Sequence, residues 1–401
     1  MHQSALEEFS FQLRGTLEQI LDDSLPDRSW DLAQLGIKSG GLGLRSAERH
    51  ACAAYLASLT SCSDICTTID QSFDRTDADE GLALRRTEQE VRDGILDTAS
   101  LDAAGSGLTS QKWLSSLLDA ASKDDMLRPS RNDLSFRAHV QLSSLPGAGV
   151  WLTAPPIDAR EMDSPLFKTA LKRRLRVPVF AADGFCPCCG NCLDRFGDHA
   201  LVCPCKGDRT VRHNSIRNAL HEDAVHAGLR PEKEKQGLLP NRPEEDGLRG
   251  VTGDRRPADV WLPRGANGRG QALDFACTSG LRTDLMQRVS ETPNIVFEQY
   301  ENLKRSFKDT ARVCEEQGFE FIPMILEAHA GAWSPVARRI IDLVAKGQTA
   351  TWNEPGNTSS LRIAQRLSTA LHRDYARAIL RRTVNPVSGM AVSGWDQDTV
   401  D

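Results

Sequence analysis

The chain has 401 residues, of which 26% are charged, and a formal net charge of -6. That length calls for several cores rather than one, and the acidic balance excludes nucleic-acid binding through the overall field, leaving only local basic patches. Eleven cysteines, with Glu7 and Glu8 where an apolar leader would run, point to a reducing compartment, nuclear or cytoplasmic and not secreted; with no run of about 18 apolar residues, no membrane partner is expected.

In chain order, 5–21 and 45–60 have helical spacing, punctuated by Gly40-Gly-Leu-Gly43. From 61 to about 107 the composition turns acidic, with a solvated stretch at 74–80, and reads as a weakly ordered connector. A helix is expected over 112–121, a turn at 145–149, and a basic helix over 167–175 whose Lys168, Lys172, Arg173 and Arg174 read as a wet face. Elements then alternate: a helix over 211–228 ended by glycine, strands over 256–262 and 271–278, a long helix over 296–317 closed by Gly318, a strand over 319–326, and a helix over 334–345 capped by Ser334 with Pro335 next. This is an α/β layer pattern. Cys277, Cys314, Trp261, Phe275, Phe297 and Phe319 belong to its core. Beyond Gly347, Arg362, Arg366, Arg373, Arg377, Arg381 and Arg382 mark a basic helix, expected to be solvated.

Residues 186–203 carry the most specific signal. Zinc needs four soft or borderline ligands in a tetrahedron, and a Cys-x-x-Cys turn with a second pair nearby supplies them. Cys186 and Cys189 form the turn, His199 and Cys203 the second pair. A redox dithiol or a set of buried free cysteines is the competing reading. Cys188, Cys192 and Cys205 lie within the same 20 residues, so the set is open to exchange. Four protein ligands make a structural site, not a catalytic one.

The second signal is Asp259 in Arg256-Pro-Ala-Asp-Val-Trp and Asp274 in Ala272-Leu-Asp-Phe-Ala. Two strands each delivering an aspartate at the same end would let a Mg²⁺ or Mn²⁺ ion bridge them, the usual arrangement for phosphodiester cleavage. A lysine is then wanted against the charge of the phosphorane; Lys304 and Lys308, four apart on the next helix beside Tyr300 and Glu301, are both candidates. The order of helix, acid-bearing strands, lysine helix and strand is the layout of a PD-(D/E)xK nuclease core. Lys206, Arg209, Arg212 and His213 are the candidate nucleic-acid contacts.

Cys-Pro-x-Cys-Gly at 186–190, Asp194, Gly-Asp-His-Ala-Leu-x-Cys at 197–203, Arg-His-Asn at 212–214, the two aspartate motifs and Gly-Ala-Trp-Ser-Pro at 331–335 together resemble the C-terminal part of non-long-terminal-repeat retrotransposon proteins. Residues 40–46, 54–58 and 147–155 extend the likeness upstream, so that it covers about 30 to 346. The resemblance implies a multidomain chain: a helical segment (1–60), an acidic linker (61–110), a helical connector (111–180), a CCHC zinc knuckle (181–210), a restriction-like endonuclease domain with a short mixed sheet flanked by helices (211–346) and a basic tail (347–401). It implies nicking of target DNA to prime reverse transcription, with DNA and element RNA as partners. By position, Asp259 and Asp274 match the family's metal carboxylates, Lys304 or Lys308 its helix lysine, and Glu234 a supporting acid, against a bland role as a solvated surface group. Three departures stand out: no lysine follows Asp274 by two residues, Pro257 precedes Asp259 by two, and no polymerase Tyr-x-Asp-Asp occurs. A fragment, a domesticated descendant and a decayed copy remain open, and with them a nucleic-acid-binding module without catalysis.

Overall fold

The structure, a computed structural model, describes residues 3–72, 78–95, 110–205, 207–240, 257–265, 267–353 and 355–383. Two compact units divide the chain, Met1–Asp133 and Leu134–Asp401.

The first unit is helical: α1 (Gln3–Leu21), α2 (Asp27–Gln34), α3 (Ala47–Ile69), α4 (Ala78–Asp93) and α5 (Gln111–Leu127). Ser46 caps α3 by accepting from the Arg49 amide. Cys52, Ala53, Leu56 and Ala57 form its buried stripe and meet Val91, Ile95, Leu114 and Leu118. The glycine run before α3 is required by close approach, because a Cβ on Gly41 would stand 2.1 Å from the Leu35 carbonyl oxygen. The connector expected over 61–110 is mostly helical where it is described: α3 runs nine residues past the boundary at 60, to Ile69, and α4 holds Val91 against α3 and α5. Acidic composition described its wet face and missed the apolar stripe. Of the solvated stretch, 74–77 lies outside the described residues.

The second unit contains α6 (Leu134–Ser143), α7 (Ser164–Arg174), a short hairpin of β1 (Gly184–Phe185) and β2 (Cys192–Leu193), α8 (His199–Val202) and α9 (Asp208–His226). A four-stranded sheet follows, in the order β3 (Glu232–Lys233), β4 (Val260–Leu262), β5 (Gln271–Thr278), β6 (Glu320–Glu327). The first two pairings are antiparallel, and β5 and β6 run parallel over eight residue pairs. The parallel pair requires a crossover, supplied by α10 (Met286–Glu291), α11 (Ile295–Ser306) and α12 (Thr310–Glu316). α13 (Pro335–Trp352) and α14 (Gly356–Leu380) complete the unit.

Helices cover both sheet faces. Leu273, Phe275, Ile322 and Met324 pack with Ile216, Leu220, Ile340, Val344, Leu367 and Tyr375 on one face; Ala276 and Ile325 pack with Leu142, Leu285, Val289 and Phe297 on the other. β5 is therefore buried on both faces except at Asp274 and Cys277, which are half-buried.

Three expectations need correction. Over 347–353 and 355–383 the chain is not a solvated basic tail, and 384–401 lies outside the described residues. α13 continues to Trp352, and α14 buries Ile363, Leu367, Leu371, Tyr375 and Ile379, one residue per turn, each worth about 1.5–3 kcal/mol for the larger aliphatics. Its arginines clamp it down: Arg366 pairs with Glu222 and Asp223, Arg362 donates to Gln348, and Arg381 and Arg382 pair with Asp208. On α7, Arg173 and Arg174 are buried, not wet; Arg174 donates to the Ser143 carbonyl. The long helix over 296–317 is broken at Lys308 and Asp309, both left-handed, between α11 and α12.

Candidate functional site

The hairpin and α8 assemble the Cys/His cluster. Asn191 O accepts from the Cys186 amide and Cys186 O from the Gly190 amide, closing a turn that Gly190 completes at φ 73°. Asp194 holds the second half in place, accepting from the amides of Phe196, Asp198 and His199. One turn of helix then carries the chain from His199 to Cys203. Ligand atoms of Cys186, Cys189, His199 and Cys203 all lie within 4.8 Å of one another, and this is the one such group among the described residues. Tetrahedral zinc puts two thiolates about 3.8 Å apart; Cys186 Sγ and Cys203 Sγ are 3.9 Å apart, and Cys189 Sγ is 3.1 Å from His199 Nε2. The Cys₃His donor set thus fits a metal ion such as zinc. Cys188 and Cys205 pack alongside, and Cys192 is exposed. Burial pushes the Cys186 thiol up, but the amides of Cys188 and Cys189 and the Arg382 side chain outweigh it and bring the group down to about 6. Cys189, favoured by the Asn191 amide but opposed by desolvation and its sulfur neighbours, rises to about 11. One thiolate forming at the expense of the next is what metal coordination relieves, with release of protons.

The carboxylates come from the sheet. One step beyond the β4/β5 register, Asp259 stands opposite Asp274. Asp259 N donates to Leu273 O, and its Oδ2 accepts from the Phe275 amide at 2.6 Å. His213 Nε2 is 3.3 Å from the other oxygen, Oδ1. Lys304 Nζ reaches Asp274 at 2.9 and 3.2 Å. Burial raises Asp274, aided by Asp259 and opposed by Lys304; burial lowers Lys304, but Asp274 outweighs it and the amine stays above its usual range. The shift on Lys304 and the short contact together favour an ion pair, Lys304 cationic and Asp274 anionic.

Among the remaining candidates, Lys308 is exposed, in the break after α11, over the Phe307 ring and not on one face with Lys304. Glu234 donates its amide to Asp259 O, but its carboxylate pairs with Arg217 at 2.6 Å. Arg212 is buried rather than available to phosphate: it donates to Leu201 O and lies over Tyr375. His213, partly exposed, faces Asp259. Arg209 is exposed on α9, and Lys206 lies outside the described residues. His213 and Arg217, four apart on α9, meet Asp259 and Glu234 respectively. That spacing was a usable sign of a helix face turned toward the acids.

Comparison of the chain with protein-family models and with curated proteins gave no match. Among the described residues no helix is long and apolar enough to cross a membrane.

Proposed function

We propose that the chain is a metal-dependent DNA endonuclease of the retrotransposon type, a restriction-like PD-(D/E)xK core beside a structural CCHC zinc knuckle. The observation that carries this reading is the meeting of Asp259, Asp274, Lys304 and His213, drawn from four segments to the two inner strands of the sheet. Two opposed carboxylates suit a hard divalent cation, Mg²⁺ or Mn²⁺, which would be held by Asp259 and Asp274 and would polarise the scissile phosphate and lower the pKa of a bound water. Lys304, already beside Asp274, places its ammonium against charge developing on the phosphoryl oxygens. His213 and the Phe275 amide fix the two oxygens of Asp259 and so its orientation. Exposed Arg209 adds a backbone contact to DNA. Element RNA and a nuclear or cytoplasmic setting belong to the same reading.

The test is nicking of supercoiled plasmid by zinc-loaded protein with Mg²⁺ or Mn²⁺, beside Asp259→Asn and Asp274→Asn. Activity lost by about 10²–10³-fold or more in both variants is the expected result. A second reading, a nucleic-acid-binding module without catalysis, is favoured by one observation: Lys304 engages both oxygens of Asp274. Wild-type protein that shifts DNA on a gel and never cuts it would establish that alternative.

A further inference from the structure

Arg382, just past the end of α14, is fully buried; its side chain is 0% exposed. Nη1 is fully engaged, donating to Asp208 Oδ2 at 2.8 Å and to the Ala378 carbonyl. Nε and Nη2 are buried with no acceptor in hydrogen-bond geometry. Leaving such donors unpaired costs about 1–3 kcal/mol each. The side chains of Cys186 and Cys203 lie beside them. Neutral thiols are poor acceptors and thiolates are good ones. A second contact seats the same helix end on the cluster. Ala378 and Ile379 pack on Ala200, Val179 and Phe180, and a Cβ on Gly197, two residues before His199, would stand 2.9 Å from Ile379.

We infer that Arg382 is an outer-sphere donor to the metal centre, its Nε–H and Nη2–H groups bonding the Cys186 and Cys203 thiolates, so that α14 latches onto the nuclease core when metal is bound. The inference rests on the reading of the cluster as a metal site. Three thiolates against a dication leave one net negative charge, which Arg382 balances inside a dry contact where it counts most. Asp208 in turn holds Arg382 and Arg381, so the chain of contacts runs from metal ligand to α14 to the start of α9, the helix that carries His213.

The experiment uses the full chain. Metal content of the wild type comes first: absence of bound zinc overturns the metal reading and the inference with it. Zinc release to a competing chelator is then followed in Arg382→Gln and Arg382→Lys. Release faster by about 10–100-fold in Arg382→Gln, with Arg382→Lys between it and wild type, is expected. In cobalt-loaded protein the thiolate charge-transfer band should move to longer wavelength when the N–H···S bonds are lost, a change that packing alone does not produce. Unchanged release and an unmoved band in a zinc-containing protein would overturn the inference while sparing the metal reading. Should the variants not fold, amide exchange of wild-type residues 356–383 decides: protection must fall on chelation, and equal protection with and without metal refutes the latch.

Discussion

The Cys/His cluster and the carboxylate site differ in how their geometry is encoded. The cluster spans 18 residues, and its shape follows from a hairpin, a Gly190 turn and a single helical turn braced by Asp194. All its ligand atoms already face one point. The carboxylate site is assembled from residues 213, 259, 274 and 304, and each acid already has a partner: the Phe275 amide and His213 for Asp259, Lys304 for Asp274. A local site is fixed by the geometry of a short stretch of chain. A non-local site depends on the whole fold to bring its charges together, and here they are already paired, Lys304 with Asp274.

Removing metal should break the comparison most forcefully. Structural zinc contributes on the order of 10 kcal/mol in small domains, so chelation, or Cys203→Ser, is expected to lower the melting temperature sharply and to expose 180–205 to protease. Equal protease sensitivity with and without metal would sink a structural role. Substitution at the second site is expected to act on chemistry and not on fold. Lys304→Met should reduce nicking by about 10²–10³-fold with the zinc content unchanged; a parallel loss of zinc would mean that the two sites are not separable.

A third test probes the buried polar chain beside the cluster. Asp198, next to His199, pairs with Arg176 at 2.6 Å and approaches Arg173 and His329. Arg173 donates to His329 Nδ1, so His329 Nε2–H faces His139 Nδ1 at 2.6 Å and His139 Nε2–H donates to the Arg174 carbonyl. Every proton in this chain is assigned with both rings neutral. Burial first, then the neighbouring arginines, hold His139 and His329 well below the ordinary histidine range, and push His372 down to about 3. The fold keeps these rings neutral while the unfolded chain protonates them near pH 6.5. Their stabilisation is therefore complete above that value and is lost as pH falls, at about 1.4 kcal/mol per pH unit per ring. Glu327, raised by burial despite three amide donors, partly offsets this on the acid side. Denaturant midpoints at pH 7.5 and 5.5 should fall markedly; a flat profile would show the rings to be protonated in the fold.

The sequence was most legible where elements carry their own signals. Strand β5 occupies the expected 271–278, and Ser334 caps α13 as Ser-Pro suggests. Asp259 stands just before β4, opposite Asp274, but Asp274 lies in the middle of β5 and not at the strand end that its motif suggested. What escaped was long-range. Nothing in the arginine spacing of α14 says that Ile363, Leu367, Leu371 and Tyr375 outweigh it, because an amphipathic helix with charges clamped to Glu222, Asp223 and Asp208 looks the same in sequence as a solvated one. Nor does an i, i+4 lysine pair reveal that the helix between them ends.

That helix end gives the smallest expected effect and the finest discrimination between the two lysines. Lys304 and Lys308 are equivalent by spacing, yet α11 stops at Ser306, and Lys308 takes φ 51° and ψ 33°. A left-handed residue with a Cβ costs roughly 1 kcal/mol, and its side chain turns toward Phe307 instead of toward Asp274. Lys308→Ala should thus leave nicking within about two-fold of wild type, against the 10²–10³-fold expected at Lys304. Lys308→Gly should be as active and slightly more stable, because glycine adopts this conformation without strain. A loss at Lys308 comparable to that at Lys304 would mean that the helix straightens when DNA binds, restoring the four-residue face that the spacing suggested.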